Sequence, residues 1–525
     1  MRRTRPTLVL LAAAPLVVAG VIAARPVTHR ADLFQEVFSL VRERSVDSLS
    51  TDALYEKAAR GLVHSLGDPY AELYSRDELA SFNRESLGGA YGGLGLQIED
   101  HSGRPTIVRV FPHSPAASGG LRPGDEIIAV DSAGVRGWPL DKVSQALLGR
   151  PGTPVDVAVT RLGEAQPIRA RYVRESVHVP SVPFSAMLDG QIGYVPLQVF
   201  SESAAQEVNA ALSHLLTAGA KGIVLDVRGN GGGAVDQALL VANCFLAEGT
   251  ELASVRERAG PQETYRAVRH PLTTTVPVAV LIDGGSASAT EIVVGALQDH
   301  DRALVVGTTS FGKGLVQSLF ALDGGYSLKL TTGRWYTPDG RSIQKPRKLL
   351  PDGELVEIEP DSAGKPKPVF HSDAGRTVFG GGAITPDLAV LPDTLDDTER
   401  AFVQAITPAS QGVYLATYSL ARELGRNVKP DFTIQPAWRD SLFHRFQDAN
   451  VPVTRAQFDA ARSFVDRLLG DRIAELAFPD SIAFRRRAGD DVQLARSLDL
   501  LRRSRTQAEL FVMAGGAPPA PAHHG

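Results

Sequence analysis

The sequence predicts a multidomain protein: a layered α/β core, a small β-rich module inserted ahead of it, and helical segments at both ends. Three observations carry this. From residue 176 onward, short apolar runs alternate with helical stretches, the pattern of strands covered by helices. Between 86 and 175, β-prone runs are separated by Pro/Gly turns. Apolar spacings of three and four fill residues 31–84 and 398–511.

At 525 residues with 43% hydrophobic content, the chain has material for several cores. A formal charge of −4 without a basic face argues against a nucleic-acid partner. The single cysteine, Cys244, excludes an internal disulfide framework. It lies in the apolar stretch 237–246 and reads as a small buried hydrophobe. No His-Glu-x-x-His and no Cys/His cluster is present, so no metal site and no cofactor are expected.

Residues 1–25 read as a signal peptide or membrane anchor. Arg2, Arg3 and Arg5 precede the apolar run Leu8–Ala24, which ends on small residues. Pro15 and Gly20 interrupt the run, which is short for a membrane span, so cleavage is favoured over retention. No cysteine follows it for lipid attachment. The expectation is an exported protein, periplasmic or otherwise extracytoplasmic, with an N-terminal membrane anchor as the variant.

Residues 26–85 form an N-terminal helical segment, its second helix stopped by Gly67-Asp68-Pro69. Such a segment serves either to pack on the core or as an arm toward a second copy in a homo-oligomer. In 86–175, strands are predicted at Leu94–Ile98, Thr106–Val110, Glu126–Val130 and Val155–Arg161, with a helix over Asp141–Leu148. The core, 176–397, takes strands from 191–200, 221–227, 276–282 and 303–307. Ser203 and Gln206 fit a capping box opening a helix that Gly219 ends. Residues 345–380, rich in Pro, Gly and charge, form a surface excursion. Residues 398–511 form a helical C-terminal domain, and 512–525 a disordered tail.

The 86–175 module resembles PDZ domains. Gly93-Leu94-Gly95-Leu96 is similar to the loop that holds a peptide C-terminus. Ser114-Pro115-Ala116 followed by Gly120-Leu121-Arg122-Pro123-Gly124-Asp125 is similar to the bacterial-type signature. Successive loop amides make an anion nest, and the adjoining strand edge accepts an extended peptide. The resemblance implies capture of unstructured C-terminal tails with an apolar end, lined by Leu94, Leu96 and Leu147.

Ser288, in Gly285-Ser-Ala-Ser-Ala-Thr-Glu291, falls between an apolar run and a helix, where free amides and the helix dipole favour an oxyanion. Read alone, it is a helix cap before it is a nucleophile. Ser288 needs a base. Lys313, in Ser310-Phe-Gly-Lys-Gly314, serves if it is neutral, at a cost of roughly 4–5 kcal/mol for a shift from about 10.4 to near 7, within reach of burial. The third element is Asp226-Val-Arg-Gly-Asn-Gly-Gly-Gly233, whose amides converge on one spot. It matches a dinucleotide fingerprint formally, without the compact βαβ unit, and lacks the Lys-Ser/Thr of a phosphate loop. His300-Asp301 follow the nucleophile helix and fall about 18 Å from Ser288 at 1.5 Å per residue, too far for a triad.

Together the three elements resemble the C-terminal processing peptidases, or tail-specific proteases, over roughly residues 32–395. Gly231 stands where that family has proline, and Thr290 where it has serine. The resemblance implies a serine endopeptidase with a Ser-Lys dyad: Ser288 as nucleophile, Lys313 as base and Gln317 orienting the lysine. It also implies oxyanion donors from the amides of Gly232 (or Gly233) and Ala289. Two other classes stay open on the residues alone, a non-catalytic peptide-binding scaffold and a nucleotide-dependent enzyme using Gly229–Ala234.

Overall fold

The computed structural model describes residues 30–87, 91–100, 103–111, 113–161, 163–258, 260–350, 355–357 and 367–515. The proposed signal or anchor segment 1–25 lies outside them, as does 516–525 of the proposed tail. Among the described residues no helix is long and apolar enough to cross a membrane.

Two compact units divide the chain at Leu66/Gly67. The first holds helices Arg30–Arg44 and Thr51–Ser65, the latter N-capped by Ser50, which accepts from the Ala53 amide at 3.2 Å. Phe38 and Tyr55 stack between them at 4.5 Å.

In the second unit, Gly67 adopts a positive φ and the chain then forms a strand, Glu72–Tyr74, inside the stretch expected to be wholly helical. Its three residues pair with Ser327–Tyr336 of a distant hairpin, and that pairing overrides local helical spacing.

The β-rich module is a sheet in the order Leu96–Asp100, Pro105–Val110, Glu126–Val130, Pro154–Thr160, Ile168–Val173. Its core gathers Ile107, Ile127, Val143 and Val157. Arg161 clamps buried Asp125 with two 2.7 Å bonds, fixing the turn after Gly124. The chain enters along Tyr91–Gly93 and leaves along Glu175–Val177, and these strands pair antiparallel. Entry and exit side by side are what an insertion requires.

The central sheet runs Ala186–Leu188, Ile192–Pro196, Gly222–Asp226, Val278–Ile282, Leu304–Gly307, Leu388–Ala389, parallel after the first pair. Its strands are buried on both faces, which explains their continuous apolar runs. Ile223, Leu225, Val278 and Val280 face helices Ala204–Thr217, Val235–Asn243 and Ala289–Asp299. Val224, Ala279 and Leu281 face the opposite way, toward Leu494, Leu498, Leu501 and Phe511.

That second layer divides the segment expected to be one helical domain over 398–511. Helices from Asp397–Ile406 through Arg462–Ala477 build their own core around Phe402, Phe446 and Phe458. Val492–Arg503 and Gln507–Met513 instead return to cover the central sheet. The last helix therefore runs two residues into the proposed tail. The capping box at Ser203 does not form: its side chain makes no cap bond and donates to Glu207 at 2.7 Å. Excursion 345–380 carries two small hairpins, Arg347–Leu349 with Leu355–Glu357 and Val369–His371 with Thr377–Phe379.

Candidate active site

Three strand-end loops of the central sheet meet where the parallel strands terminate, the usual place for a ligand in such a sheet. They are the glycine-rich loop after Asp226, the turn after Ile282, and the loop after Gly307. With the Leu315–Ala321 strand they line a cleft of about 790 Å³ that contains Gly231, Gly232, Gly233, Ser288, Lys313 and Gln317.

The serine turn is built by its neighbours. Ser286 is fully buried and donates to the Val227 carbonyl at 2.8 Å, so it is consumed structurally. Ser288 follows at φ +58°, a strained value for a non-glycine residue, directly before helix Ala289–Asp299. Its hydroxyl sits over the first helical turn without a well-aligned cap bond. Ala289 supplies the first helical amide, and among the described residues nothing in the protein accepts from it.

Asn230 ties the glycine loop to this turn. Its carbonyl accepts from the Ala287 amide at 3.0 Å and from the Thr290 hydroxyl at 2.8 Å. Thr290 thus supplies a buried hydroxyl to the loop. The Asn230 side chain donates to the Leu197 carbonyl at 2.8 Å and accepts the Gly232 amide at 2.9 Å. That last bond corrects the choice of oxyanion donor: the Gly232 N–H is already spent inside the loop. The Gly233 N–H, the other candidate, has no acceptor among the described residues. Gly232 contributes differently, by close approach. At φ +105° a Cβ there would come within 2.9 Å of both the Ala287 carbonyl and Ser288 Cβ.

Lys313 is mostly buried, and its Nζ donates to Gln317 Oε1 at 3.1 Å and lies 4.8 Å from the Tyr70 ring centre. No carboxylate pairs with it among the described residues. Burial pushes its pKa down and the nearby Lys329 ammonium adds to this, against smaller opposing effects of Glu291 and Asp68. Gln317 Nε2 is buried without a partner among the described residues.

Sequence reasoning missed the group that joins serine to lysine. Glu291 is fully buried and accepts four hydrogen bonds. Ser310 Oγ at 2.5 Å and the Gly312 amide at 2.7 Å go to one oxygen; the Ser288 amide at 2.8 Å and the Lys313 amide at 2.9 Å go to the other. Its pKa is raised by burial, while the four donors pull the other way. The signal was an acid three residues after a helix-opening serine. Tyr70 and Phe82 were also missed, because only tertiary pairing of Glu72–Tyr74 with Ser327–Tyr336 brings their segment to the cleft, and so was Lys329 on that partner strand.

His300 ends helix Ala289–Asp299 and bonds Asp373 and the Glu251 carbonyl, both at 2.7 Å, while Asp301 pairs with Arg376. Neither lines the cleft. Cys244 is buried and its thiol pKa is pushed up to about 11. Among the described residues no cluster suits a metal ion.

A second groove, of about 710 Å³, lies on the β-rich module between its first strand and helix Leu140–Leu147. Leu94, Gly95, Leu96 and Leu147 line it. Gly93 does not; it pairs with Glu175 at the root of the module.

Residues 191–361 match the model of peptidase family S41, and residues 106–161 match that of the PDZ domain. The chain is 37% identical over 315 residues to the carboxy-terminal-processing protease of Bartonella bacilliformis, covering 59% of this chain and 72% of the relative. It is 33% identical over 350 residues to the carboxy-terminal processing protease CtpA of Bacillus subtilis, covering 67% and 73%. Among solved structures, the photosystem II D1 C-terminal processing protease aligns at 28% identity, covering 64% of this chain and 92% of that one, with a TM-score of 0.36.

Proposed function

Because the chain belongs to peptidase family S41, the carboxy-terminal processing serine proteases, and carries a PDZ domain, we propose that Ser288 and Lys313 form its catalytic dyad. The observation that carries this reading is the buried Lys313 amine, which shares a cleft with Ser288 and has no carboxylate partner among the described residues.

Neutral Lys313 takes the Ser288 hydroxyl proton as Oγ attacks the scissile carbonyl carbon. The carbonyl electron pair moves to oxygen, and the Ala289 and Gly233 amides stabilise the resulting oxyanion. Collapse breaks the C–N bond, and the leaving amine receives the proton from the Lys313 ammonium. Water, activated by the again-neutral lysine, then hydrolyses the acyl-enzyme. Gln317 holds the lysine nitrogen in place through its Oε1.

On the same reading the module 86–175 captures the unstructured C-terminal tail of a protein substrate in its Leu94/Leu96/Leu147 groove and delivers an upstream bond to the 176–397 core. The arginine-preceded apolar run at the N-terminus supports export, to the periplasm or an equivalent space, with an anchor as the variant.

The test is cleavage of an apolar-tailed protein, with mass analysis of a fluorophosphonate adduct. The adduct is expected on Ser288, and Ser288→Ala should lose both cleavage and labelling while melting normally. Turnover retained by that variant sinks the assignment.

A further inference from the structure

We propose that Asp491, at the start of the returning helix Val492–Arg503, is a positioning residue of the active site that acts through Arg228 of the glycine-rich loop. It lies 130 residues beyond the end of the family-model match, which stops at 361.

Arg228 is the residue from which the loop departs its strand. All five guanidinium N–H groups are used. Nε donates to Asp226 Oδ1 at 2.9 Å and Nη2 to Asp226 Oδ2 at 2.6 Å. Nη2 also donates to Asp491 Oδ2 at 2.6 Å, and Nη1 to Asp491 Oδ1 at 3.1 Å and to Gln493 Oε1 at 2.9 Å. Three of the five therefore come from the C-terminal helix. The site is mostly shielded, with Arg228 at 21% and Asp491 at 24% side-chain exposure, so these charge-assisted bonds are not weakened as surface pairs are.

Asp491 is itself fixed. The same carboxylate caps its helix, accepting from the Gln493 amide at 3.1 Å and the Leu494 amide at 3.0 Å. The helix is anchored by Leu494, Leu498 and Leu501 against the sheet. Gln493 spans to the Val390 carbonyl at 2.7 Å. Asp226, the other arm of the fork, is held by the Tyr194 hydroxyl at 2.7 Å.

The consequence falls on the loop. Its near part is held by Arg228, by the Gly229 amide on Asp283 at 2.8 Å and by Asn230, and its far end by the Ala234 amide on the Phe200 carbonyl at 2.8 Å. Between these anchors lie Gly231, Gly232 and Gly233, with no side chains to stiffen them. The Gly233 amide must meet an oxyanion with sub-ångström accuracy to be useful. Two anchors on either side convert a floppy glycine run into a fixed donor. The helix covering the back of the sheet is thus part of the catalytic unit.

This rests on the dyad reading, and its test separates the two. Asp491→Asn keeps a helix-capping side chain but loses the charge; Asp491→Ala loses both. The control Phe458→Ala lowers stability from the separate helical core around Phe402 and Phe446, which contains neither Arg228 nor Asp491. On the full chain, kcat and KM for a tailed protein and the fluorophosphonate labelling rate of Ser288 are measured beside the melting temperature. For Asp491→Ala, kcat and labelling should fall at least tenfold with KM changed less than threefold. Asp491→Asn should fall between it and wild type. Phe458→Ala, melting lower, should keep kcat within twofold. Should Asp491→Ala not fold, Asp491→Asn decides alone. Folded Asp491 variants with kcat within twofold of wild type overturn the proposal. So does a Phe458→Ala enzyme as impaired as the Asp491 variants, since the effect is then stability alone. Loss of the dyad reading shows separately, as wild-type chain unlabelled at Ser288.

Discussion

Glu291 accepts the Ser288 amide at 2.8 Å on the oxygen that also takes the Lys313 amide at 2.9 Å. One buried carboxylate thus fixes the backbone of both proposed reacting residues. Its other oxygen takes Ser310 and Gly312. A glutamine in its place turns one acceptor into a donor facing two donors. Glu291→Gln should therefore lower stability by about 2–4 kcal/mol and kcat by about 10–100-fold. Chemical denaturation together with steady-state kinetics checks both. A variant as active and stable as wild type would show that the carboxylate does not set the geometry.

Lys313 must lose its proton to act as base. Its pKa is depressed, first by burial and then by Lys329. Activity should rise with pH as the amine is freed. Removing the neighbouring charge in Lys329→Gln should move that rising limb to higher pH. The sign follows from like charges disfavouring protonation; without the neighbour, Lys313 holds its proton longer. The folded lysine also binds a proton less readily than the unfolded one. Its contribution to stability therefore grows as pH rises through the interval between the depressed and the ordinary lysine values. The kcat/KM–pH profiles of the two proteins are the measurement; a limb moving to lower pH contradicts the account. Lys313→Arg, which cannot deprotonate, should lose at least about a thousandfold in kcat.

Gly232 touches the serine turn so closely that any side chain collides. A Cβ would lie 2.9 Å from the Ala287 carbonyl and 3.0 Å from the Ala289 amide nitrogen, at a φ of +105°. Gly232→Ala should displace that amide and abolish fluorophosphonate labelling, with a stability loss of about 2–3 kcal/mol. Gly231 is the contrasting position, with open space where its Cβ would be. Gly231→Ala should label at a rate within threefold of wild type.

Much of this was legible in the residues, for physical reasons that differ by element. The Val278–Ile282 and Gly222–Asp226 strands are buried on both faces, so their apolar runs announce them. The Leu140–Leu147 helix and the strands around it carry turn residues at fixed places. The Glu72–Tyr74 strand did not announce itself, because its identity comes from a partner over 250 residues away. The return of Val492–Arg503 to the sheet was equally hidden: amphipathic spacing says that a helix has a buried face, not what buries it. At the site, the residues singled out by resemblance, Ser288, Lys313 and Gln317, line one cleft. The choice between the Gly232 and Gly233 amides could not be read, since it depends on which N–H the Asn230 side chain consumes.

The peptide groove depends on a backbone contact as tight as that at Gly232. Gly95 sits at φ +77°, and a Cβ there would lie 2.3 Å from Ser114 Cβ and 2.7 Å from its hydroxyl. Ser114 is buried and caps the short helix Pro115–Ser118 by accepting from the Ala117 amide. It cannot swing away without uncapping that helix. The loop is also stitched by its own carbonyls, Leu94 accepting from the Ala116 amide at 2.9 Å and Gly95 from the Phe111 amide at 3.0 Å. An alanine at 95 must therefore push the loop outward and take Leu94 and Leu96 out of the groove that they line with Leu147. Peptides ending in an apolar residue should bind Gly95→Ala at least tenfold more weakly, measured by fluorescence anisotropy on the full chain. Leu147→Ala keeps the loop and removes one wall, so its loss should be smaller and largest for the bulkiest terminal side chains. Equal weakening for all termini would mean that Leu147 does not contact the last residue of the tail.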